Sequence, residues 1–266
     1  MPTAFSLLPD RFADGRHLAL KAGLRRLGYK LREGTGTPAD TRDLLITWTV
    51  HKGPKERARD SFEAAGGRVI VAEEAHLRHV PNGPYPRDRY FSLCLHDHQH
   101  DWRVGGPERW ESWRIEPAPW QPTGWRVLVR EQRGIGSSRM ASPPNWHERT
   151  ARTLETLSDQ MVEIVPHPKT LKRRGLPVPS DDALFAEAWC AVVWASHMGT
   201  EALLRGVPVI ACAPRFFLAK ACGRCLEDVE APVMPDNRER AFQRFAWAQW
   251  AMSEIESGEA FAHLLQ

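Results

Sequence analysis

The chain lacks any long hydrophobic run, and this absence excludes one class of protein. No part of its 266 residues approaches the unbroken apolar length of about eighteen residues that indicates a membrane-spanning helix. The first residues, MPTAFSLLPDRF, also lack the basic and apolar stretches of a secretory signal. We therefore expect a cytoplasmic protein with no membrane span.

Cysteine is scarce as well. The sequence has five cysteines, and an odd number does not suit a disulfide framework. Most of them lie within apolar runs, as expected for buried thiols in a reducing compartment. Cys222 and Cys225 have the spacing of half a zinc-binding motif, but no second pair follows at a suitable distance. We predict free thiols and no metal at this pair.

Neither sign of charge is in large excess, because 36 Lys and Arg residues face 33 Asp and Glu residues, a net charge of +3. A dedicated nucleic-acid-binding domain usually has a pI above about 9. Basic residues do cluster at Lys169, Lys172, Arg173 and Arg174, and such clusters attract phosphates. The composition therefore suits a phosphate-bearing ligand, and the alternative is an ordinary solvated face.

The pattern of apolar runs divides the chain into two halves, which its length accommodates. Apolar runs at 43–48 and 68–72 flank a helical stretch at 54–65, the strand–helix–strand unit of a parallel sheet. A further strand is predicted at 90–95, before a Pro- and Trp-rich connection at 105–124. In the second half, strands and helices are predicted at residues 125–129, 145–157, 161–165, 182–187, 191–194, 199–204 and 208–212.

This rhythm predicts an α/β fold with two compact Rossmann-like domains that face a cleft. We place the domains at 1–120 and 121–266, the second with an amphipathic closing helix at 238–255. In sheets of this kind, ligands bind beyond the carboxyl ends of the strands. Residues just after predicted strands are therefore the first candidates for a site.

One such place is the segment AVVWASHMGTEALLRGVPVIACAP, where a buried strand ends in a small polar loop before a helix. A helix N-terminus presents unpaired N–H groups and the positive end of the helix dipole, so Ser196, Gly199 and Thr200 are candidates to hold a diphosphate. Glu201 is a candidate to accept a hydrogen bond from a ribose hydroxyl. The alternative is ordinary N-capping by Ser196 or Thr200.

A second place is His167, which stands between Pro166 and Pro168 at the end of a predicted strand. The prolines restrict the backbone on both sides, so the imidazole is held with little conformational freedom. With the neighbouring Lys169, it is a candidate to stabilise the charge that develops on a leaving phosphate. The alternative is a surface histidine in a proline-rich turn.

A third place is the glycine-rich turn QRGIGSSR after the first strand of the second half. Gly134, Gly136 and Ser137 are candidates for a phosphate or sugar cradle, with Arg133 or Arg139 adding charge. The turn is neither a dinucleotide-binding fingerprint nor a Walker motif. Its predicted position at the carboxyl end of a strand favours a ligand role.

Two of these motifs together resemble the donor-site signature of GT-B glycosyltransferases, especially their capsule-polysaccharide and sialyltransferase-like branches. One is the stretch SHMGTEALLRGVPVI that begins at Ser196, and the other is the pair His167-Pro168 at the end of an earlier strand. The resemblance covers residues 125–255. It implies that His167 contacts the donor phosphate and that Ser196 and Thr200 hold it from the opposite side.

The resemblance also implies a function. A sugar would move from a nucleotide-sugar donor, bound by residues 121–266, to an acceptor hydroxyl bound by residues 1–120, with no covalently bound cofactor. The acceptor would be a glycan or, as in phage DNA glycosyltransferases, a hydroxymethylated base in DNA. The alternatives are a nucleotide-sugar epimerase, a phosphoglycerol-type transferase and a non-catalytic nucleotide-binding module.

The segment HDHQHD at 96–101 is the remaining dense cluster. On an extended chain its histidines point to one side and its aspartates to the other, so a metal face and a carboxylate face are both possible. The resemblance implies that an inverting enzyme takes its base from the N-terminal domain. We predict Asp97 or His98 as the base, with His51 next, and assign no metal. The alternative is a solvated polar loop.

Overall fold

The structure is a computed structural model that describes residues 1–9, 15–77, 90–97, 99, 101–121 and 123–266. Within these residues the chain forms a six-stranded and a four-stranded sheet, with helices packed against both. Four neighbouring strands of the first sheet are parallel to one another, as are all four strands of the second. The predicted α/β class with parallel sheets is confirmed.

The first sheet is built around two central strands whose apolar residues are buried. Its strands lie in the order β10, β5, β4, β3, β1, β2, with the bounds β1 Thr3–Leu7, β2 Lys30–Glu33, β3 Leu44–Trp48, β4 Arg68–Glu74, β5 Tyr90–Leu95 and β10 Gln249–Ala251. Every residue of β3 is buried, because alternate side chains face cores on opposite sides of the sheet. Ile46 packs in one of these cores, and Leu45 packs with Phe62 in the other.

Helices cover both faces of this sheet. They are α1 (Arg16–Arg26), α2 (Pro54–Ala64), α9 (Met252–Ser257) and α10 (Glu259–Leu265). Helix α2 begins with Pro54 in its first turn, where a missing N–H costs no hydrogen bond. Its buried side chains are Arg59 and Phe62. The strand–helix–strand unit predicted at 43–72 is therefore confirmed.

The second sheet has the order β7, β6, β8, β9 and is parallel throughout. Its strands are β6 (Arg126–Arg130), β7 (Met161–Val165), β8 (Ala188–Val193) and β9 (Val209–Ala211). The helices of this half and of the connection are α3 (Glu108–Ser112), α4 (Trp146–Leu157), α5 (Pro168–Arg173), α6 (Asp181–Phe185), α7 (His197–Leu204) and α8 (Arg238–Ala246). The predicted boundary between residues 120 and 121 falls in the irregular stretch between α3 and β6.

The end of the chain differs from the single closing helix predicted at 238–255. Helix α8 ends at Ala246, and the chain then enters β10, which pairs antiparallel with β5 of the first sheet. Trp250 in β10 is 1 % exposed and belongs to the same core as Phe261 of α10. Residues 249–265 thus complete the first sheet, although the sequence pattern assigned them to the second half.

Replacing Gly23 in α1 by alanine is expected to lower the free energy of unfolding by about 1–3 kcal/mol, because it overpacks the contact with α9 and α10. An added Cβ would lie 1.9 Å from the Ile255 carbonyl oxygen and 2.9 Å from the Phe261 ring. Urea denaturation measures the effect. Arg25→Ala, on the exposed side of α1, is the control and should change stability by less than about 0.5 kcal/mol. A G23A protein as stable as the wild type would contradict this docking of the C-terminal segment.

The five cysteines are all free thiols, as predicted. Burial raises the pKa of Cys94 and Cys190 to about 12, so both side chains are inert and uncharged at neutral pH. Among the helices of the described residues, none combines the length and apolar character needed to cross a bilayer.

Candidate functional site

A cavity of about 390 Å³ lies where residues following strands of both sheets meet. From the first sheet come His51, after β3, and His76, after β4. From the second sheet come Arg130 at the end of β6, His167 after β7 and Ser196 after β8. The carboxyl ends of parallel strands are where open α/β sheets bind ligands. We call this space the main cavity.

His167 is held in one orientation by the start of α5. Its Nδ1 accepts a hydrogen bond from the backbone N–H of Lys169 at 3.1 Å, so the ring serves as the N-cap of the helix. Its own backbone N–H donates to Glu131 Oε2 at 2.5 Å. Burial, followed by the nearby charges of Arg133 and Arg130, lowers the pKa of His167 to about 4. The ring is therefore neutral at pH 7, and its proton lies on Nε2, which is left to donate to a ligand.

Ser196 both lines the main cavity and caps α7. Its Oγ accepts from the Met198 N–H at 3.2 Å. The N-capping alternative is therefore what the structure shows. Because a hydroxyl donates one hydrogen bond in addition to those it accepts, Ser196 can still donate to an anion in the cavity.

The three residues predicted to act with Ser196 do not line the main cavity. Gly199 lies where α7 packs closely, since an added Cβ would be 3.0 Å from Phe216 and 3.1 Å from Val193. Thr200 is fully buried, and its Oγ1 has no hydrogen-bond partner among the described residues. Glu201 forms an ion pair with Arg205 at 2.8 Å. The burial of α7 from its second residue to its last explains why this part of the motif faces the core.

Replacing Thr200 by valine is expected to leave ligand binding unchanged and to raise the free energy of unfolding by about 1 kcal/mol, because a buried hydroxyl without a partner is removed. Thr170→Val is the matched control. Its Oγ1 donates to Glu131 Oε1 at 3.1 Å, so this change should destabilise the protein by about 1 kcal/mol. Denaturation curves and nucleotide titrations measure both effects. Weaker binding by T200V alone would restore Thr200 to the site.

Glu201 instead lines a smaller, mainly apolar cavity of about 260 Å³. This second cavity shares Arg130, His197 and Met198 with the main cavity, so the two are adjacent. Residues of α5, α6 and the segment between them complete its wall. A ligand in the main cavity therefore has apolar surface beside it on the side of the second sheet.

The glycine-rich turn contributes Gly136 and Ser137 to the main cavity, whereas Gly134 is not among its lining residues. Gly134 and Gly136 have φ values of 62° and 136°, in the region that favours glycine. The Gly136 carbonyl accepts from the Lys52 N–H at 3.0 Å. The turn after β6 is thus fastened to the loop before α2.

Asp97 lines the main cavity and lies in a buried polar cluster. It is 1 % exposed, and its Oδ2 accepts from Arg59 Nη1 at 2.5 Å and from Ser137 Oγ at 2.7 Å. Arg59 itself is fully buried and also contacts Asp60 at 2.8 Å. These contacts join the first sheet, α2 and the glycine-rich turn. The carboxylate of Asp97 is thus held in place by a guanidinium and a hydroxyl donor.

The alternation expected for HDHQHD does not occur in the described part of the segment. His96 and Gln99 have φ values of 68° and 59°, so the chain is folded back rather than extended. His98 and His100 lie outside the described residues. Among the residues that the structure does describe, no group of three or more His, Cys, Asp or Glu side chains could hold a metal ion.

His51, the third candidate base, is exposed at the main cavity, and its Nε2 lies 3.2 Å from Thr49 Oγ1. Among the lining residues that the sequence did not predict are one arginine and two histidines. Arg130 is 9 % exposed and donates to the Pro166 carbonyl at 2.8 Å. His76 follows β4 of the first sheet, and His197 begins α7 after β8 of the second sheet. Their ring centroids are 4.0 Å apart. Each follows or ends a strand, which is the signal that would have found them.

Comparison with known proteins identifies solved structures that share this fold. No protein-family model and no curated protein sequence matches the chain. The fold is shared with solved glycosyltransferase structures, which confirms at the level of fold the resemblance seen in the sequence. At such low identity, similarity to solved structures establishes the fold alone.

Two of the solved structures that share the fold are transferase structures of KpsC from Thermosulfurimonas dismutans. The "beta Kdo 2,7 transferase" superposes with a TM-score of 0.58 at 12 % identity, covering 98 % of this chain and 99 % of that one. The "beta Kdo 2,4 transferase" superposes with a TM-score of 0.52 at 14 % identity, covering 92 % and 90 %. Neither of these proteins is named for transfer to DNA.

Proposed function

We propose that the protein is a GT-B-type glycosyltransferase, with two Rossmann-like domains on either side of the main cavity. The observation that carries the proposal is that Arg130, His167 and Ser196 lie at or shortly after the ends of three neighbouring parallel strands. They line one cavity together with residues that follow strands of the other sheet. The shared fold with two transferases supports the same conclusion.

The phosphate of a nucleotide-sugar donor binds on the side of the second sheet. His167 donates from Nε2, Ser196 donates from its hydroxyl, and Arg130 supplies positive charge. The exposed side chains of Arg133 and Lys169 also line this part of the cavity. Groups fixed in this way stabilise the negative charge that grows on the leaving phosphate as the glycosidic bond breaks.

The acceptor binds on the side of the first sheet. His51 is exposed there and takes the proton of the attacking hydroxyl. The carboxylate of Asp97, which contacts Arg59 and lines the same cavity, stabilises the positive charge of the oxocarbenium-like sugar ring. His98, the other base predicted from the sequence, lies outside the described residues.

The donor sugar is proposed to be acidic and the acceptor to be a glycan. Both structural neighbours are named for transfer of Kdo, an acidic sugar. Arg133 and Lys169 offer cationic groups that would pair with a carboxylate. A hydroxymethylated base in DNA is kept as an alternative acceptor to be tested.

Thermal stabilisation by nucleotides tests the donor site directly. A ligand that binds only the folded form stabilises it by about 2.7 kcal/mol at a hundredfold excess over Kd. We expect one of UDP, GDP, CMP, ADP and dTDP, or a sugar derivative of it, to raise Tm clearly above the others. No stabilisation by any of them would overturn the proposal.

Turnover then separates a transferase from the alternatives. His51→Gln is expected to retain donor binding and to lose turnover, because only proton transfer is removed. A protein that binds the donor and transfers no sugar to glycans or to hydroxymethylated DNA is a non-catalytic binding module. A product that is an isomer of the donor would identify an epimerase.

A further inference from the structure

An exposed basic and apolar segment runs from the last two residues of α5 to the start of α6. Residues 172–180, KRRGLPVPS, are nine consecutive exposed residues. It begins three residues after Lys169, which lines the main cavity, and part of it lines the second cavity. We call residues 172–180 the basic projection.

The cationic side chains of the basic projection are not paired with carboxylates of the described residues. Lys172, Arg173 and Arg174 form no ion pair within the described part of the chain. By contrast, Arg139 pairs with two carboxylates at 2.8 and 2.9 Å, and Arg205 pairs with Glu201. Three adjacent cations without carboxylate partners produce a local positive potential. They stand out because the whole chain has a net charge of only +3.

Apolar side chains stand beside these charges. Leu176 is 50 % exposed and Val178 is 43 % exposed. Val178 lies between Pro177 and Pro179, which have no backbone N–H groups. Residues 177–179 therefore carry only one backbone hydrogen-bond donor, the N–H of Val178. A backbone with few donors enters a water-poor surface at lower cost.

The projection is fixed at both ends. The Gly175 N–H donates to the Lys172 carbonyl at 3.1 Å, and the Leu176 N–H donates to the Leu171 carbonyl at 3.0 Å. Gly175 has a φ of 70°, which allows this sharp turn. At the other end, Ser180 Oγ accepts from the Ala183 N–H at 3.3 Å as the N-cap of α6. Little entropy is therefore lost when the projection meets a partner.

We infer that the basic projection docks the protein onto an anionic phospholipid surface. The three cations meet acidic headgroups, and Leu176 and Val178 enter the boundary between headgroups and acyl chains, the combination that surface-bound proteins use. A DNA duplex would also attract the cations through its phosphates, but it would leave Leu176 and Val178 without an apolar partner. A single strand would in addition be held by stacking on aromatic rings. No aromatic residue occurs between Trp146 and Phe185.

Vesicle co-sedimentation of the full-length protein tests the inference. The probes are vesicles of equal parts phosphatidylglycerol and phosphatidylcholine, and vesicles of phosphatidylcholine alone. We expect binding to the anionic vesicles only. Because each cation near an acidic surface contributes about fivefold to partitioning, Lys172→Gln/Arg173→Gln/Arg174→Gln should weaken binding about a hundredfold. Leu176→Ser/Val178→Ser should weaken it about tenfold.

A charge-matched variant provides the control. Arg32→Gln/Arg149→Gln/Arg152→Gln removes three exposed arginines elsewhere and should bind vesicles nearly as the wild type does. All variants should keep the wild-type Tm and nucleotide binding, so failure here leaves the proposed donor site untouched. The inference is overturned if wild type ignores anionic vesicles, if the control loses as much as the first triple variant, or if single-stranded RNA binds tightly without any effect of the Leu176/Val178 change.

Discussion

Asp97→Ala is expected to lower the free energy of unfolding by about 3 kcal/mol, the largest stability change predicted for this protein. The change removes the carboxylate that contacts Arg59 at 2.5 Å, and both side chains are almost completely buried. A guanidinium would remain in the core with Asp60 and Glu56 as its remaining ion-pair partners. Urea denaturation, followed by circular dichroism, measures the loss.

Two milder variants separate structure from chemistry at this position. Ser137→Ala removes one hydrogen bond to Asp97 and should cost about 1 kcal/mol. Asp97→Asn keeps an acceptor for Arg59 and removes the negative charge, so the folded protein should bind donor and turn over slowly. An alanine variant as stable as the wild type would show that the buried pair is not formed, and full turnover by D97N would remove Asp97 from the chemistry.

The largest expected effect on binding comes from His167→Asn. Asparagine is a good N-cap, so the start of α5 should persist, while the Nε2–H donor to the phosphate is lost. A hydrogen bond to a charged group contributes about 1.5–3 kcal/mol, which corresponds to nucleotide binding weakened about ten- to a hundredfold. Isothermal titration with the nucleotide that gives the largest Tm shift measures the change.

His167→Ala removes the cap as well as the donor and should therefore lower both stability and affinity. If the asparagine variant binds nucleotide as tightly as the wild type while the alanine variant does not, His167 caps the helix and does not contact the ligand. That result would contradict the proposed donor site without disturbing the fold.

The pKa of His167 also predicts a pH dependence. Folding lowers this pKa from 6.5 to about 4, chiefly by burial. Between these two values the unfolded chain binds more protons than the folded chain, so the contribution of His167 to stability falls as pH is lowered from 6.5 towards 4. The difference in stability between wild type and H167N should change over that window and be constant above it.

Sequence reasoning located most strands because each is a short apolar run bounded by turn residues, as at 43–48 and 161–165. It failed at β10, because Phe242, Phe245 and Trp250 also fit a helical period. The choice between helix and strand was made by pairing with β5, a contact between segments more than 150 residues apart. Such pairing leaves no trace in a local pattern.

Candidates in the loops that follow strands, such as His167, Ser196 and Gly136, do line the main cavity. The role of a residue was not predicted where its contacts with residues distant in sequence decide that role. Asp97 is held by Arg59, which nothing in HDHQHD reveals. Thr200 faces the core because α7 packs closely through Gly199, and a motif of small residues is compatible with either packing or binding.

The return of the chain to the first sheet has a mechanical consequence. Polypeptide passes from one sheet to the other twice, once between α3 and β6 and once between α8 and β10. When two parts of a protein are joined by two chain crossings, they can rotate relative to each other only about an axis that runs near both crossings. A single linker would allow rotation in every direction. If the proposed transferase opens its main cavity, the motion is therefore a bend about these two crossings.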